Sequence, residues 1–240
     1  MRRLLLLFVV AILGSSLSQA QPVYSRQSDK ILAISLPGLG MSGLSMYLEG
    51  KNEPFLPEDL YELDVMDVPK IDRWVTRQYN LTAKRNSDIT LFTSYLLPFT
   101  MLLGEESRSD FGSVGLITLE GLILNNGITS LTKNIVRRPR PYLYNTSVPM
   151  ELKITKGARE SFFSGHTSNT AAVSFMTATF FSDYYGDSDM KPLVWGLAAA
   201  IPAYTGIQRM RAGKHYLTDV LVGYAVGALV GVLVPRFHRL

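Results

Sequence analysis

The chain contains no cysteine, so no disulfide braces it. Histidine is nearly as scarce, at three in 240 residues. No segment shows the alternation of period two that marks a strand, which argues against a β protein. No repeat or low-complexity tract argues for a second large domain, and the length suits one well-packed domain. The net charge is +4 with a pI near 9.2. Much of that excess lies in three short motifs and the C-terminal tail, without the interleaved aromatics of a nucleic-acid surface, so nucleic acid is not an expected partner.

The motifs are where the chemistry concentrates. Lys133 is followed by Arg140-Pro141, then by Ser164-Gly165-His166, then by Arg209, His215 and Asp219. Cleaving a phosphate ester requires a nucleophile in line with phosphorus, a proton for the leaving oxygen and positive charge around the equatorial oxygens. Arg140 and Arg209 offer planar forks of N–H donors, and Lys133 adds a point charge, giving a cationic cage with no metal. Ser164 and Gly165 precede an expected helix, whose N-terminal N–H groups favour anions. On a helix starting near His215, Asp219 would share a face with it and accept the Nδ1 proton, leaving Nε2 free to attack.

These three motifs, in this order, resemble those of the type 2 phosphatidic acid phosphatase (PAP2) superfamily, over about residues 88–235. The superfamily includes lipid phosphatases, bacterial acid phosphatases and vanadium haloperoxidases. The resemblance implies that His215 becomes a phosphohistidine, that Asp219 orients it, and that His166 protonates the leaving group and then activates water. Phe163 stands where a proline is common and Gln208 where a serine is common. The expected activity is metal-independent hydrolysis of a lipid phosphate monoester or pyrophosphate, with no cofactor. The alternatives are a soluble exported acid phosphatase and a vanadate-dependent haloperoxidase, the latter usually a much larger protein.

Other polar residues have plainer readings. Taken alone, Ser-Gly-His is a turn before a helix and the arginine–proline run a basic loop; only their order gives them chemical meaning. His238 fits no motif and reads as a solvated tail residue, and Arg137, Arg138 and Arg211 read as surface charges ahead of headgroup ligands. Asn126, Ser130, Lys133 and Arg137 recur at helical spacing, so a polar face should run into the site. Glu120, inside an apolar run, is expected to make a buried hydrogen bond to a neighbouring helix.

Met1-Arg-Arg, an apolar run from Leu4 to Leu13 and Ser18-Gln-Ala20 have the parts of a secretory signal, with cleavage expected after Ala20. Residues 21–88 are expected to hold one helix and an amphipathic surface segment, and 89–235 the phosphatase domain. Apolar runs at Ile31–Leu48, Ile89–Leu103, Phe111–Leu131, Thr167–Phe181, Leu193–Ile207 and Leu217–Val234 predict an all-α bundle of about six helices, embedded in a membrane, with the catalytic loops at one end. Several approach the roughly 17–25 residues needed to cross a bilayer. The last is the best candidate, with Gly223, Gly227 and Gly231 along one face. Ile31–Leu48, holding Pro37 and three glycines, is the poorest. Counting basic loops favours a cytoplasmic site, but the catalytic residues account for part of that charge. With Ile31–Leu48 not crossing, the site faces outward, and Glu49–Asp88 forms a lid at the membrane surface.

Overall fold

The computed structural model describes residues 22–240, so the expected signal segment lies outside the described residues. Six long helices dominate: α1 Ser28–Lys51, α2 Leu81–Ser94, α3 Phe111–Val136, α4 Gly165–Tyr184, α5 Lys191–Arg211 and α6 Leu217–His238. Single helical turns at Glu105–Ser109 and Met150–Lys153 and several 3-10 turns fill the connections. Among the described residues there is no strand, only an isolated bridge between Tyr24 and Arg239. The chain is the all-α bundle that its apolar runs predict.

The largest difference from those runs is α2. It begins at Leu81, where Asn80 caps it by accepting from the Ala83 N–H, and ends before Leu97–Leu103, which forms a 3-10 segment containing Pro98. Its first two turns are polar, so an apolar run shows only its second half; proline then disfavours α geometry in the residue before it. Helix α1 is continuous through Pro37.

The distribution of side chains is that of a bundle in lipid. Helix α4 lies at the centre, and its buried residues include Thr167, Ser168, Asn169, Thr170, Ser174 and Thr177. Leu36, Leu39, Phe92, Leu96, Leu197 and Leu229 face outward, each about half exposed or more. Small and weakly polar residues between helices with leucine outside is the pattern expected where the surroundings are as apolar as leucine. Among the described residues, three helical stretches are long and apolar enough to cross a membrane: α1, Phe111–Tyr144 and α6, with mean hydropathies of 1.5, 1.3 and 2.1. Helix α1, the poorest sequence candidate, is thus among them, and α6 is the most apolar.

Two close helix contacts hold the bundle together. On α6, a Cβ added to Gly223, Gly227 or Gly231 would lie 2.6, 2.0 or 2.5 Å from the carbonyl oxygens of Ser164, Ser168 and Ala172. The matching intervals of four let the two backbones meet along a shared stripe. Helices α1 and α3 cross at Gly38 and Gly127, where a Cβ on Gly127 would lie 2.4 Å from the Gly38 oxygen.

Residues 23–25 meet the C-terminal end of α6 at the far end of the bundle from the site. Ser25 N–H donates to His238 O, Leu240 N–H donates to Val23 O, and Tyr24 Oη donates to Asp183 at 2.7 Å. His238 is fully buried there and bonds Glu120 Oε2 at 2.9 Å. This corrects the solvated reading of His238, because α6 runs through Pro235 and carries the histidine inward. Glu120 makes the buried interhelical bond expected of it.

Residues 52–80 form 3-10 turns folded onto the loops of the opposite end. Phe55 packs with Tyr142, Leu143 and Val148, while Val68 and Val75 pack with Met210, Tyr216 and Val220.

Gly227→Val should collide with the Ser168 carbonyl and lower the thermal midpoint in detergent, by overpacking worth about 1–3 kcal/mol or more. Gly115→Ala, with open space around it inside α3, should leave the midpoint unchanged or raise it slightly, since alanine favours the helix. Equal midpoints for the two variants would contradict the close α4–α6 contact.

Candidate active site

The site forms where the C-terminal ends of α3 and α5 meet the N-terminal ends of α4 and α6. The loop from 137 to 164 supplies its floor. Arg137, left-handed at φ 50°, ends α3. The following chain turns under α6: Tyr142 N–H donates to Gly213 O, and Ser161 N–H to Arg138 O.

His215 does not lie on α6. The helix begins at Leu217 with Tyr216 as its N-cap, and Asp219 in the first turn accepts the Tyr216 N–H at 2.9 Å. Asp219 also accepts from Ser161 Oγ at 2.5 Å and from Arg138. With those partners around it, the carboxylate stays 3.8 Å from His215 Nδ1. Nδ1 instead meets the Ser161 carbonyl at 2.6 Å. A carbonyl can only accept, so Nδ1 carries the proton and Nε2 of the neutral ring presents a lone pair. The expected Asp219–His215 bond is therefore replaced: Asp219 holds Ser161, and Ser161 orients the histidine.

His215 Nε2 sits 3.4 Å from Arg140 Nη1. Burial first, then the charges of Arg140, Arg209 and Lys133, holds the His215 imidazole well below its ordinary pKa of 6.5. The structure thus brings all three expected cations around this ring. Arg140 is anchored by donating from Nε to Gly157 O at 2.6 Å and from Nη1 to Lys214 O at 3.1 Å. Arg209 is 5% exposed, and its Nε lacks a partner among the described residues.

His166, in the first turn of α4, meets Asp88 of α2 at 2.9 Å through Nε2. Asp88 also lies 3.5 Å from Arg209 Nη1, so one carboxylate spans a histidine and an arginine of different motifs. Gly165 backs onto Thr129 and Lys133, and a Cβ there would come within 3.1 Å of Thr129 Cγ2. Ser164 departs from its expected phosphate-binding place. Its N–H donates to Asp219 O at 3.0 Å and its hydroxyl caps the Thr167 N–H, so it joins α4 to α6, and the first N–H groups of α4 itself are those of Gly165 and His166.

Sequence reasoning missed Asp88, Asp72 and Ser161. Asp72 is fully buried and receives Arg138 Nη2 at 2.9 Å, Thr218 Oγ1 at 2.6 Å and the Thr218 N–H at 3.0 Å. Arg138 bridges Asp72 and Asp219 and lies 4.0 Å from the Tyr216 ring centroid, so it is no surface charge. Arg211 is exposed, as read from the sequence. Arg137 bonds the Glu53 carbonyl, whereas Asn126, Ser130 and Lys133 line a cavity of about 390 Å³ beside Gly165 and His166.

Comparison with known proteins gives the family. Residues 114–240, over half the chain, match the family model of the PAP2 superfamily. The chain is 29% identical over 151 residues to phosphatidylglycerophosphatase B of Bacillus subtilis (strain 168), covering 61% of this chain and 70% of that protein. It is 28% identical over 127 residues to lipid A 4'-phosphatase of Porphyromonas gingivalis, covering 52% of this chain and about half (50%) of that protein's length. The crystal structure of a transmembrane PAP2 type phosphatidylglycerolphosphate phosphatase from Bacillus subtilis has the same fold, with a TM-score of 0.50 and 21% identity over 87% of this chain and 95% of that one. The fold and apolar exterior define an all-α membrane protein. The chain belongs to the PAP2 superfamily, as a phosphatase of that family.

Arg138→Ala would leave two buried carboxylates without their shared cation. It should cost about 3–5 kcal/mol of stability, the usual penalty for stranding one member of a buried pair. Chemical denaturation in detergent checks this; a loss below about 1 kcal/mol would show that the clamp carries little.

Proposed function

We propose that the chain removes a phosphate from a membrane lipid without a metal, through a phosphohistidine on His215. The observation that carries this reading is the Ser161 carbonyl on His215 Nδ1, which leaves Nε2 as a lone pair among Arg140, Arg209 and Lys133. In the first step the Nε2–phosphorus bond forms and the ester P–O bond breaks, the three cations balancing charge on the equatorial oxygens. His166, entering the step as the imidazolium with its Nε2–H on Asp88, gives its Nδ1 proton to the leaving oxygen. It then takes one from water, which attacks phosphorus and releases phosphate and neutral His215. Asp219 acts through Ser161, as a positioning residue.

With EDTA present, purified protein in detergent should release phosphate from a lipid phosphate, and His215→Ala should lower turnover at least ~10⁴-fold. His166→Ala should lose about 10²- to 10⁴-fold on the lipid and less on an aryl phosphate, whose leaving group needs little protonation. Loss of activity in EDTA, or equal losses of His166→Ala on both substrates, would overturn the scheme.

The depressed pKa of His215 fixes a sign. The ring is already neutral well below pH 6.5, so protonation of the nucleophile sets an acid limb below that value in kcat/KM corrected for substrate ionisation. A limb at or above pH 6.5 that depends on His215 would contradict its burial among cations.

We further propose that the catalytic end faces outward. Residues 22–27 and the C-terminus lie at the opposite end, so with α1 crossing, this orientation keeps them inside. Leader cleavage on the outer side and an outward site are then alternatives, and we take the outward site. The chain has no native thiol, so single cysteines report cleanly. Tyr61→Cys, at a residue 89% exposed, should react with an impermeant maleimide in intact cells, and Leu240→Cys, at a residue 72% exposed, only after lysis. The reverse pattern would place the site in the cytoplasm.

A further inference from the structure

The cavity beside His166 has a chemical character that the hydrolysis alone does not require. It is lined by Lys133, Gly165 and His166 at its upper end, and His215 and Arg209 are not part of its wall. In an in-line displacement the leaving group departs opposite the nucleophile. A cavity walled by the proton donor and not by the nucleophile therefore lies on the leaving-group side.

From Lys133 the cavity descends along α3 past Thr129 to Asn126, seven residues or about 10 Å into the bundle at ~1.5 Å per residue. At that depth the wall stays polar. Asn126 and Asn169 line it, tied together by the Asn169 Nδ2 donation to Asn126 Oδ1 at 2.9 Å. Thr129 is 5% exposed, and its hydroxyl has no partner among the described residues although it borders the cavity. Glu160 and Glu49 add carboxylates, and Met46 and Leu91 are the apolar side chains of the wall.

A polyprenyl chain just beyond the scissile bond would leave these donors and acceptors desolvated and unpaired, which is unfavourable. Carboxylates beside a phosphate site are equally ill suited to a second phosphate. Amide, hydroxyl and carboxylate groups together instead match an alcohol carrying free hydroxyls. On the basis of the phosphatase reading above, we propose that this cavity is the subsite for the leaving alcohol, and that it selects lipids whose leaving group bears free hydroxyls near the cleaved bond, such as a glycerol or a sugar. Helix α1 packs on α3 while α2 packs on α5 and α4, so the cavity lies where α1 and α2 part.

The test is kcat/KM in detergent for four substrates: phosphatidylglycerophosphate, a phosphorylated glucosamine lipid, farnesyl diphosphate and an aryl phosphate. The expected result is a preference of at least tenfold for one or both hydroxyl-bearing lipids over farnesyl diphosphate, the faster of the two naming the glycerol or the sugar. Within each variant, Thr129→Val, which removes an unpaired hydroxyl at constant shape, and Glu160→Gln should shrink that ratio by about three- to tenfold, the range of one lost hydrogen bond. Faster turnover of farnesyl diphosphate, or an unchanged ratio in both variants, would overturn the subsite while leaving the phosphatase reading intact. No turnover of any of the four, aryl phosphate included, would overturn both.

Discussion

The close approach of α4 and α6 is the constraint on which the site depends. Three glycines on α6 let its backbone rest on the carbonyl ridge of α4, and the first of them sits against Ser164, the cap of α4. From there the Ser164 N–H reaches the Asp219 carbonyl, and Ser161 reaches both the Asp219 carboxylate and His215 Nδ1. A side chain at any of those glycines would push the loop before α4 away from the loop before α6. The positions of His215, of the Ser161 carbonyl on its ring and of the N-terminal end of α4 are therefore set by one packing contact between backbones.

The second constraint is charge. Arg140, Arg209 and Lys133 converge on a fully buried histidine, a cluster of like charges that destabilises the empty site and favours a bound dianion. The surrounding carboxylates limit the repulsion without filling the anion site. Asp88 lies beside Arg209, while Asp72 and Asp219 are joined through Arg138. Replacing bulk water by fixed cations and N–H groups before substrate arrives is the arrangement that electrostatic stabilisation of a phosphoryl transition state calls for.

Much of this was legible in the sequence. The apolar runs located five of the six long helices and only the C-terminal end of α2, and motif order singled out His215, His166, Lys133, Arg140 and Arg209, which the fold brings to one end of the bundle. What was not legible depends on tertiary contact. Asp88 opens no motif and sits in the polar first half of α2, which no apolar run reveals. Asp72 is one acid among several in a stretch that reads as surface, and it is buried only because that stretch folds back onto Arg138 and Thr218. The His215–Asp219 spacing suggested a direct bond, but α6 starts two residues after the histidine, and the carboxylate is held as a cap. His238 looked like a tail residue because Pro235 reads as a stop, whereas the proline lies within the last turn.

The account turns on a covalent bond between His215 and phosphorus. Rapid acid-free quenching during turnover of a radiolabelled lipid phosphate, followed by peptide mapping, tests it directly. The account predicts an acid-labile, base-stable phosphoryl group on the peptide holding His215, formed within one turnover, lost in His215→Ala and accumulating in His166→Ala with a good leaving group. Turnover with no labelled peptide, or label on any other residue, would contradict it.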